Sequence, residues 1–308
     1  MKSLLIYSLI FILFIFLFVE NDVQQKHRLI KDLWNAGHLV LFGLISLVYF
    51  HNPKNASRSL LFKSVITTFF CLLVGTAIEF LQQLFNREFS YNDIINDVIG
   101  GYLGLCVLLI TDSTKKNQTR IIASLLLIIL ALTGLRNFEK HLLDEYRIRK
   151  NFPVLADFES TLEETRWEYR LVNVNYSTEH VQSGEYALKA EFLTGRYPTI
   201  SLDQLIKNWT GYHFLNFSVY NPQSSILNYT LMVFDDQHIK SGRRFNDRYN
   251  KKIQIQPGWN HINLPINDIR QAPKHRQIQL SQIRGLSLFT DRLKQPVTIY
   301  IDSIQLVK

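Results

Sequence analysis

Cysteine is almost missing from this 308-residue chain: Cys71 and Cys106 are the two there are, and both sit inside apolar runs. The second half of the chain therefore has no disulfide to staple it, and cysteine usage does not reveal a redox compartment. A block of one-signed charge is lacking too. The 34 Lys+Arg exceed the 26 Asp+Glu by eight, divided as +5 over residues 1–150 and +3 over 151–308. That spread excludes a dedicated nucleic-acid surface, which concentrates its basic residues. No Gly-rich phosphate loop, nucleophile motif or His-rich metal spacing occurs, so the sequence offers no ready signature of an enzyme.

What is present is strongly segregated. Charge-free runs at Ser3–Val19, Leu33–Pro53, Ser64–Ile78, Val98–Thr111 and Ile121–Leu135 read as five membrane spans, since about 20 residues cross a bilayer and polar ends reach toward the interface. Val19-Glu20-Asn21 offers no small-residue cleavage site, which makes the first run a retained anchor. Beyond Phe152 the chain changes to short alternating runs bounded by turn residues, among them Tyr186–Phe192, His213–Tyr220, Tyr229–Phe234 and Val297–Val307. That pattern predicts an antiparallel sandwich. The expected class is a multi-domain protein: an all-α membrane bundle over 1–136, a linker with helical spacing over 137–151, and an all-β sandwich over 152–308.

Polar residues at membrane depth are the informative ones, because ionisable groups there are costly and face a protein interior or a wet cavity. Glu79, Gln82, Gln83 and Asn86 form one helical stripe at the end of the third run. Asp93 and Asp97 open the fourth, whose small residues Gly100-x-x-x-Gly104 invite close packing, expected against the third helix. Lys31, His38, Arg87 and Ser90 fall on the same membrane face, completing a polar cluster of Lys31, His38, Glu79, Gln82, Arg87, Ser90, Asp93 and Asp97. One reading is pure structural pairing, with Lys31 and Arg87 neutralising the three acids. Its acids also suit a divalent cation or a cationic ligand, and its basic residues a phosphate.

Glu79-x-x-Gln82, Arg87-x-x-Ser90-x-x-Asp93-x-x-x-Asp97-x-x-Gly100-x-x-x-Gly104, with Lys31 and His38 leading into an apolar run, resembles the VanZ-like family of bacterial membrane proteins over about residues 1–136. The resemblance implies a cell-envelope protein linked to glycopeptide-antibiotic response, without an established reaction. It departs from the family pattern at Asp97, usually Asn, and at Lys31-Asp32, usually Asp-Lys.

The second half is similar to galactose-binding-like jelly-roll carbohydrate-binding modules. The similarity rests on Asp157-Phe158-Glu159, Trp167, Gly184 to Lys189, Trp209-x-x-Tyr212, Pro257-Gly258-Trp259-Asn260 and Ile299 to Ile304. It implies a structural calcium held by Asp157, Glu159 and Asp302, and a sugar site. Sugar binding needs exposed aromatic faces and converging polar groups. The candidates are Tyr169, Tyr197, Trp209 and Tyr249, with Trp259 read as a packing residue. Lys240, Arg243, Arg244, Arg248, Lys251 and Lys252 form a basic run suited to an anionic wall polymer or to lipid headgroups, and equally to a solvated hairpin.

Basic residues in the short loops do not settle orientation, because Arg136, Lys140, Arg147, Arg149 and Lys150 reverse the count. A glycan-binding domain belongs outside. The expectation is a multi-pass membrane protein with a cytoplasmic N-terminus, its polar cluster at the outer membrane face and its sandwich extracytoplasmic, contacting the bilayer and cell-wall glycan and no nucleic acid. A non-enzymatic role is the leading reading. The alternatives are a membrane enzyme acting on lipid-linked sugar or phosphate, and an envelope scaffold whose sandwich binds protein.

Overall fold

The computed structural model describes residues 2–18, 28–84 and 89–308. They form two compact units, residues 1–142 and 143–308, each described by itself.

The first unit is helical: α1 (Lys2–Phe16), α2 (Arg28–His51), α3 (Leu60–Gln83), α4 (Tyr91–Thr111), α5 (Asn117–Gly134) and the start of α6 (Arg136–Asn151). α2 to α5 are long and apolar enough to cross a membrane. Among the described residues four such helices stand where five spans were expected. α1 has 15 residues, roughly 22 Å at the α-helical rise, which falls short of a hydrocarbon core of about 30 Å. It ends in a turn whose Leu17 carbonyl accepts from Gln82 Nε2 at 2.8 Å.

Local sequence explains the helix starts. Ser59 Oγ accepts from Phe62 N at 3.2 Å to cap α3, and Ser90 Oγ accepts from Asp93 N at 3.2 Å to cap α4. Leu61, Phe69 and Leu73 of α3 and Ile122 and Ile129 of α5 stand exposed on the outside of the unit, where acyl chains rather than water would meet them.

Glycines set the helix spacing. A Cβ at Gly100 would lie 2.5 Å from the Leu39 carbonyl, and one at Gly104 would overlap the Gly43 carbonyl. The Gly100-x-x-x-Gly104 stripe thus packs on α2, not on α3 as expected. Gly101 is the glycine that faces α3, through Thr67 and Cys71.

The second unit holds two antiparallel sheets. One has the order β3 (Val172–Ser177), β4 (Ala187–Phe192), β11 (Val297–Val307), β6 (Phe214–Asn221), β9 (Gly258–Pro265), with β1 (Val154–Ala156) also on β11. The other has the order β2 (Trp167–Arg170), β5 (Thr199–Leu202), β10 (Ile283–Phe289), β7 (Leu227–Asp235), β8 (Tyr249–Ile255). Period-two alternation builds the core. Leu188, Ala190 and Phe192 of β4, Leu215, Phe217 and Val219 of β6, and Ile299 and Ile301 of β11 face Ile200, Leu202, Leu231, Val233, Leu286 and Leu288 of the second sheet. Their neighbours Lys189, Tyr220 and Tyr300 take the opposite face of the first sheet.

The C-terminal part of α6 joins this unit. The Arg166 guanidinium donates to Asp144 from Nε at 3.0 Å and from Nη2 at 2.6 Å, both side chains being buried. Arg147 and Asn151 both donate to Asp157.

Candidate functional site

Inside the helical unit, His38, Glu79, Gln82 and Asp97 are fully buried and Asp93 is 2 % exposed. The close approach of α2 to Gly100 brings His38, the residue before Leu39, against Asp97 one turn earlier on α4. Nδ1 of His38 lies 2.8 Å from Asp97 Oδ1. A carboxylate acceptor calls for the proton on Nδ1, which leaves Nε2 as the lone-pair nitrogen of the neutral ring. Gly75 makes room on the other side, since a Cβ there would overlap the Asp97 carboxylate. Glu79 is held by the loop before α4, where Ser90 N donates to its Oε2 at 2.7 Å.

A ring nitrogen of His38 and one carboxylate oxygen each from Glu79 and Asp93 lie within 4.8 Å of one another. Among the described residues this is the one such group of three ligand atoms. His38 Nε2, Asp93 Oδ1 and Asp97 Oδ2 have no hydrogen-bond partner among the described residues.

Of the expected cluster, His38, Glu79, Asp93 and Asp97 come together, with Ser90 positioning Glu79. Gln82 is spent on the end of α1. Lys31 stands exposed on the first turn of α2 and Gln83 is exposed as well, while Arg87 and Asn86 lie outside the described residues.

In the sandwich, burial corrects two of the sugar candidates. Trp209 is fully buried and its Nε1 donates to the Ile206 carbonyl at 2.9 Å, and Tyr249 is 5 % exposed. Neither presents a ring face to a ligand. Tyr169 is half-buried against the core, and Tyr197 is half-buried with its ring edge toward Phe289.

The calcium set implied by resemblance does not fit either, because its carboxylates are already matched one by one. Asp302 accepts from the Gln182, Ser183 and Ser303 amides, Glu159 Oε1 from the Glu185 and Tyr186 amides, and Asp157 from Arg147 and Asn151. The three do not converge as the helical cluster does.

The basic run is solvated at Lys240, Arg243, Arg244, Lys251 and Lys252, whereas Arg248 is half-buried with its guanidinium 5.5 Å from the Phe245 ring. Burial holds the Arg248 guanidinium below its ordinary pKa. Lys251 and Lys252 lie on β8, an edge strand, where lysine also blocks strand pairing with another chain.

A different row of aromatics crosses the outer face of the first sheet. Lys189, Tyr300, Tyr220 and Trp259 are consecutive cross-strand partners on β4, β11, β6 and β9. Trp259, expected in the packing, is half-buried at the sheet edge. Its ring plane lies within 4° of that of His261, two residues on, with centroids 6.4 Å apart. His180 stacks on Tyr220 at 3.7 Å, and Lys189 lies 5.5 Å from the Tyr300 ring. Tyr300 donates to Glu179 at 2.6 Å. Strand parity carries the signal that finds this row: Tyr220 and Tyr300 alternate with the inward aliphatics of β6 and β11.

Comparison with known proteins finds partial similarities. No curated protein matches the chain in sequence. Among solved structures, a family 11 carbohydrate-binding module from Clostridium thermocellum in complex with a β-1,3-1,4-mixed-linked tetrasaccharide is 13 % identical, over 50 % of this chain and 94 % of its own, at a TM-score of 0.40. The family 11 module of the cellulosomal cellulase Lic26A-Cel5E from the same organism is 12 % identical, over 50 % and 92 %, at 0.38. The agarase AgWH50C is 16 % identical, over 50 % of this chain and 26 % of its own, at 0.39. Residues 3–112, which contain the whole His38, Glu79, Asp93 and Asp97 cluster, match the family model described as VanZ/LLP1.

Proposed function

We propose that this chain is a multi-pass protein of the bacterial cell envelope whose sandwich recognises a glycan outside the cytoplasm and whose helical unit binds a small polar ligand at His38, Glu79, Asp93 and Asp97. The observation that carries the first half is the aromatic row. Trp259 and His261 offer a flat shelf at a sheet edge with Ser218 beside His261, and Tyr220, Tyr300, Glu179 and Lys189 continue the row across the sheet; an apolar face beside polar side chains is what a pyranose ring needs.

Chain alternation over four spans returns the start of α4 and the segment after Leu135 to one membrane face. A glycan-binding sandwich makes that the outer face. The cytoplasmic N-terminus expected from five spans rested on α1 crossing, so only the sandwich is assigned a side. Protease in intact cells should remove a C-terminal tag, and a shielded tag would sink the assignment.

Binding of the full chain in detergent to neutral polysaccharides, peptidoglycan and anionic wall polymer at low and high salt tests the glycan reading. Saturable, salt-tolerant binding to a neutral glycan is expected, and Trp259→Ala should weaken it about tenfold, equivalent to ~1.4 kcal/mol of lost stacking. Binding that disappears in salt would transfer the role to Lys240, Arg243, Arg244, Lys251 and Lys252. Absence of any binding would leave a protein-binding scaffold.

For the helical unit, alanine at His38 or Asp93 should abolish a chromosomal deletion's complementation, read as glycopeptide susceptibility, at normal membrane abundance. Loss of abundance instead would mean that the cluster is structural pairing. The Asp97-oriented His38 also suits an acid–base role on a lipid-linked phosphate, the enzymatic alternative. Turnover of such a lipid by the purified chain, lost in His38→Ala, would decide for it.

A further inference from the structure

We infer that His38, Glu79 and Asp93 form a binding site for one first-row divalent cation, such as zinc or manganese, within the helical unit. This deepens the reading of that cluster as a ligand site and rests on it.

Three observations lead there. A nitrogen and two carboxylate oxygens, contributed by three different helices or helix ends, already lie within 4.8 Å of one another. Ligand atoms at about 2.1 Å from a tetrahedral metal stand roughly 3.4 Å apart, so rotamer adjustments of about an ångström close the set. The second observation is the Asp97–His38 hydrogen bond at 2.8 Å. Metal-ligating histidines almost always donate their other ring nitrogen to a carboxylate, which fixes the tautomer and raises the basicity of the coordinating nitrogen.

The third is the set of unmatched atoms. His38 Nε2 and Asp93 Oδ1 are buried, belong to side chains no more than 2 % exposed, and have no partner among the described residues. Leaving such groups unsatisfied in an apolar interior is costly, and a cation would satisfy both at once.

The donor chemistry selects the ion. Calcium and magnesium prefer all-oxygen shells of six or more, whereas one imidazole with two carboxylates suits zinc, manganese or iron. Three protein ligands leave a further coordination position for a water or for an oxygen of a second ligand, which is the arrangement of open rather than structural sites. Asp97 is a positioning residue here, acting on the metal through His38.

The test uses the full chain purified in detergent with an affinity tag that contains no histidine. Metal analysis should find about one zinc or manganese per chain. A strong chelator should lower the melting temperature, and zinc or manganese, but not magnesium or calcium, should restore it. His38→Gln and Asp93→Asn should abolish both the bound metal and the restoration. Asp97→Asn, which preserves side-chain shape, should weaken affinity by roughly 10–100-fold without removing the site. Folded wild-type chain that carries no metal, and whose melting does not respond to zinc or manganese, overturns the proposal whatever the variants do. If His38→Gln still loses complementation at normal abundance in that event, the ligand-site reading survives without the metal. If it does not, both fall.

Discussion

Both units bury carboxylates, and they treat them differently. In the sandwich the buried acids are Asp144, Glu163, Asp235 and Asp302, and each is matched. Asp144 meets the Arg166 fork, Asp235 accepts from Arg276 and from the His238 and Gln279 amides, Asp302 from three amides, and Glu163 from the Phe158 amide at 2.8 Å beside Arg166. In the helical unit Asp93 and Asp97 each keep one oxygen with no partner among the described residues. Matched burial is how a fold tolerates charge. Unmatched burial, next to an oriented imidazole, is what the proposed ligand would relieve.

Removing an acid on each side is the sharpest way to break that contrast. Asp144→Ala strands the Arg166 guanidinium, itself 3 % exposed, and should cost about 3–5 kcal/mol in thermal unfolding of the sandwich transition. In metal-free protein Asp93→Asn should change stability by less than about 1 kcal/mol, the scale of a first-turn acid at a helix start. Equal losses would mean that Asp93 is as structural as Asp144. A smaller effect is expected at the packing that assembles the cluster. Gly104→Ala drives a methyl into the Gly43 carbonyl and should cost about 1–3 kcal/mol. Any metal affinity should fall with it, because the same α2–α4 approach sets His38 against Asp97.

The sequence carried the class of both units, because hydropathy runs and period-two alternation are local signals. It also carried His38, Glu79, Asp93 and Asp97 as one group, since helical spacing and alternation across a membrane place them at one end of the bundle. Partner choice was not legible. Gly100 and Gly104 could face either neighbour until three-dimensional packing selected α2. The length of α1 depended on where its end was capped, by Gln82 from 65 residues away. In the sandwich, aromatic type alone misled: Trp209 and Tyr249 went to the core and Trp259 to the surface, because burial follows strand parity and register rather than side-chain chemistry. Tyr220, Tyr300 and Trp259 come from segments up to 80 residues apart, and only antiparallel register sets them side by side.

The smallest effect concerns pH, and it probes whether matching is complete even within the sandwich. Burial, reinforced by Asp157, pushes Glu163 up to about 8, against an ordinary carboxylate value near 4.5. The folded state then holds a proton that the unfolded chain releases, so this group makes stability fall as pH rises from about 5 toward 8. Other groups act lower. Burial raises Asp203 to about 6, which gives a slope of the same sign that is exhausted near neutrality. Burial and the neighbouring Arg248 hold His238 below its usual 6.5, so its contribution is lost only as pH falls through that value. Between about pH 6.5 and 8 Glu163 therefore contributes a downward slope of no more than about 1.4 kcal/mol per pH unit. The sandwich transition in thermal melts of the full chain should drift downward across that window, and Glu163→Gln should reduce the drift. A flat wild-type profile would mean that Arg166, 3.6 Å away, keeps Glu163 ionised. The sandwich would then be matched in charge as well as in hydrogen bonds, and the contrast with the helical cluster would be the stronger for it.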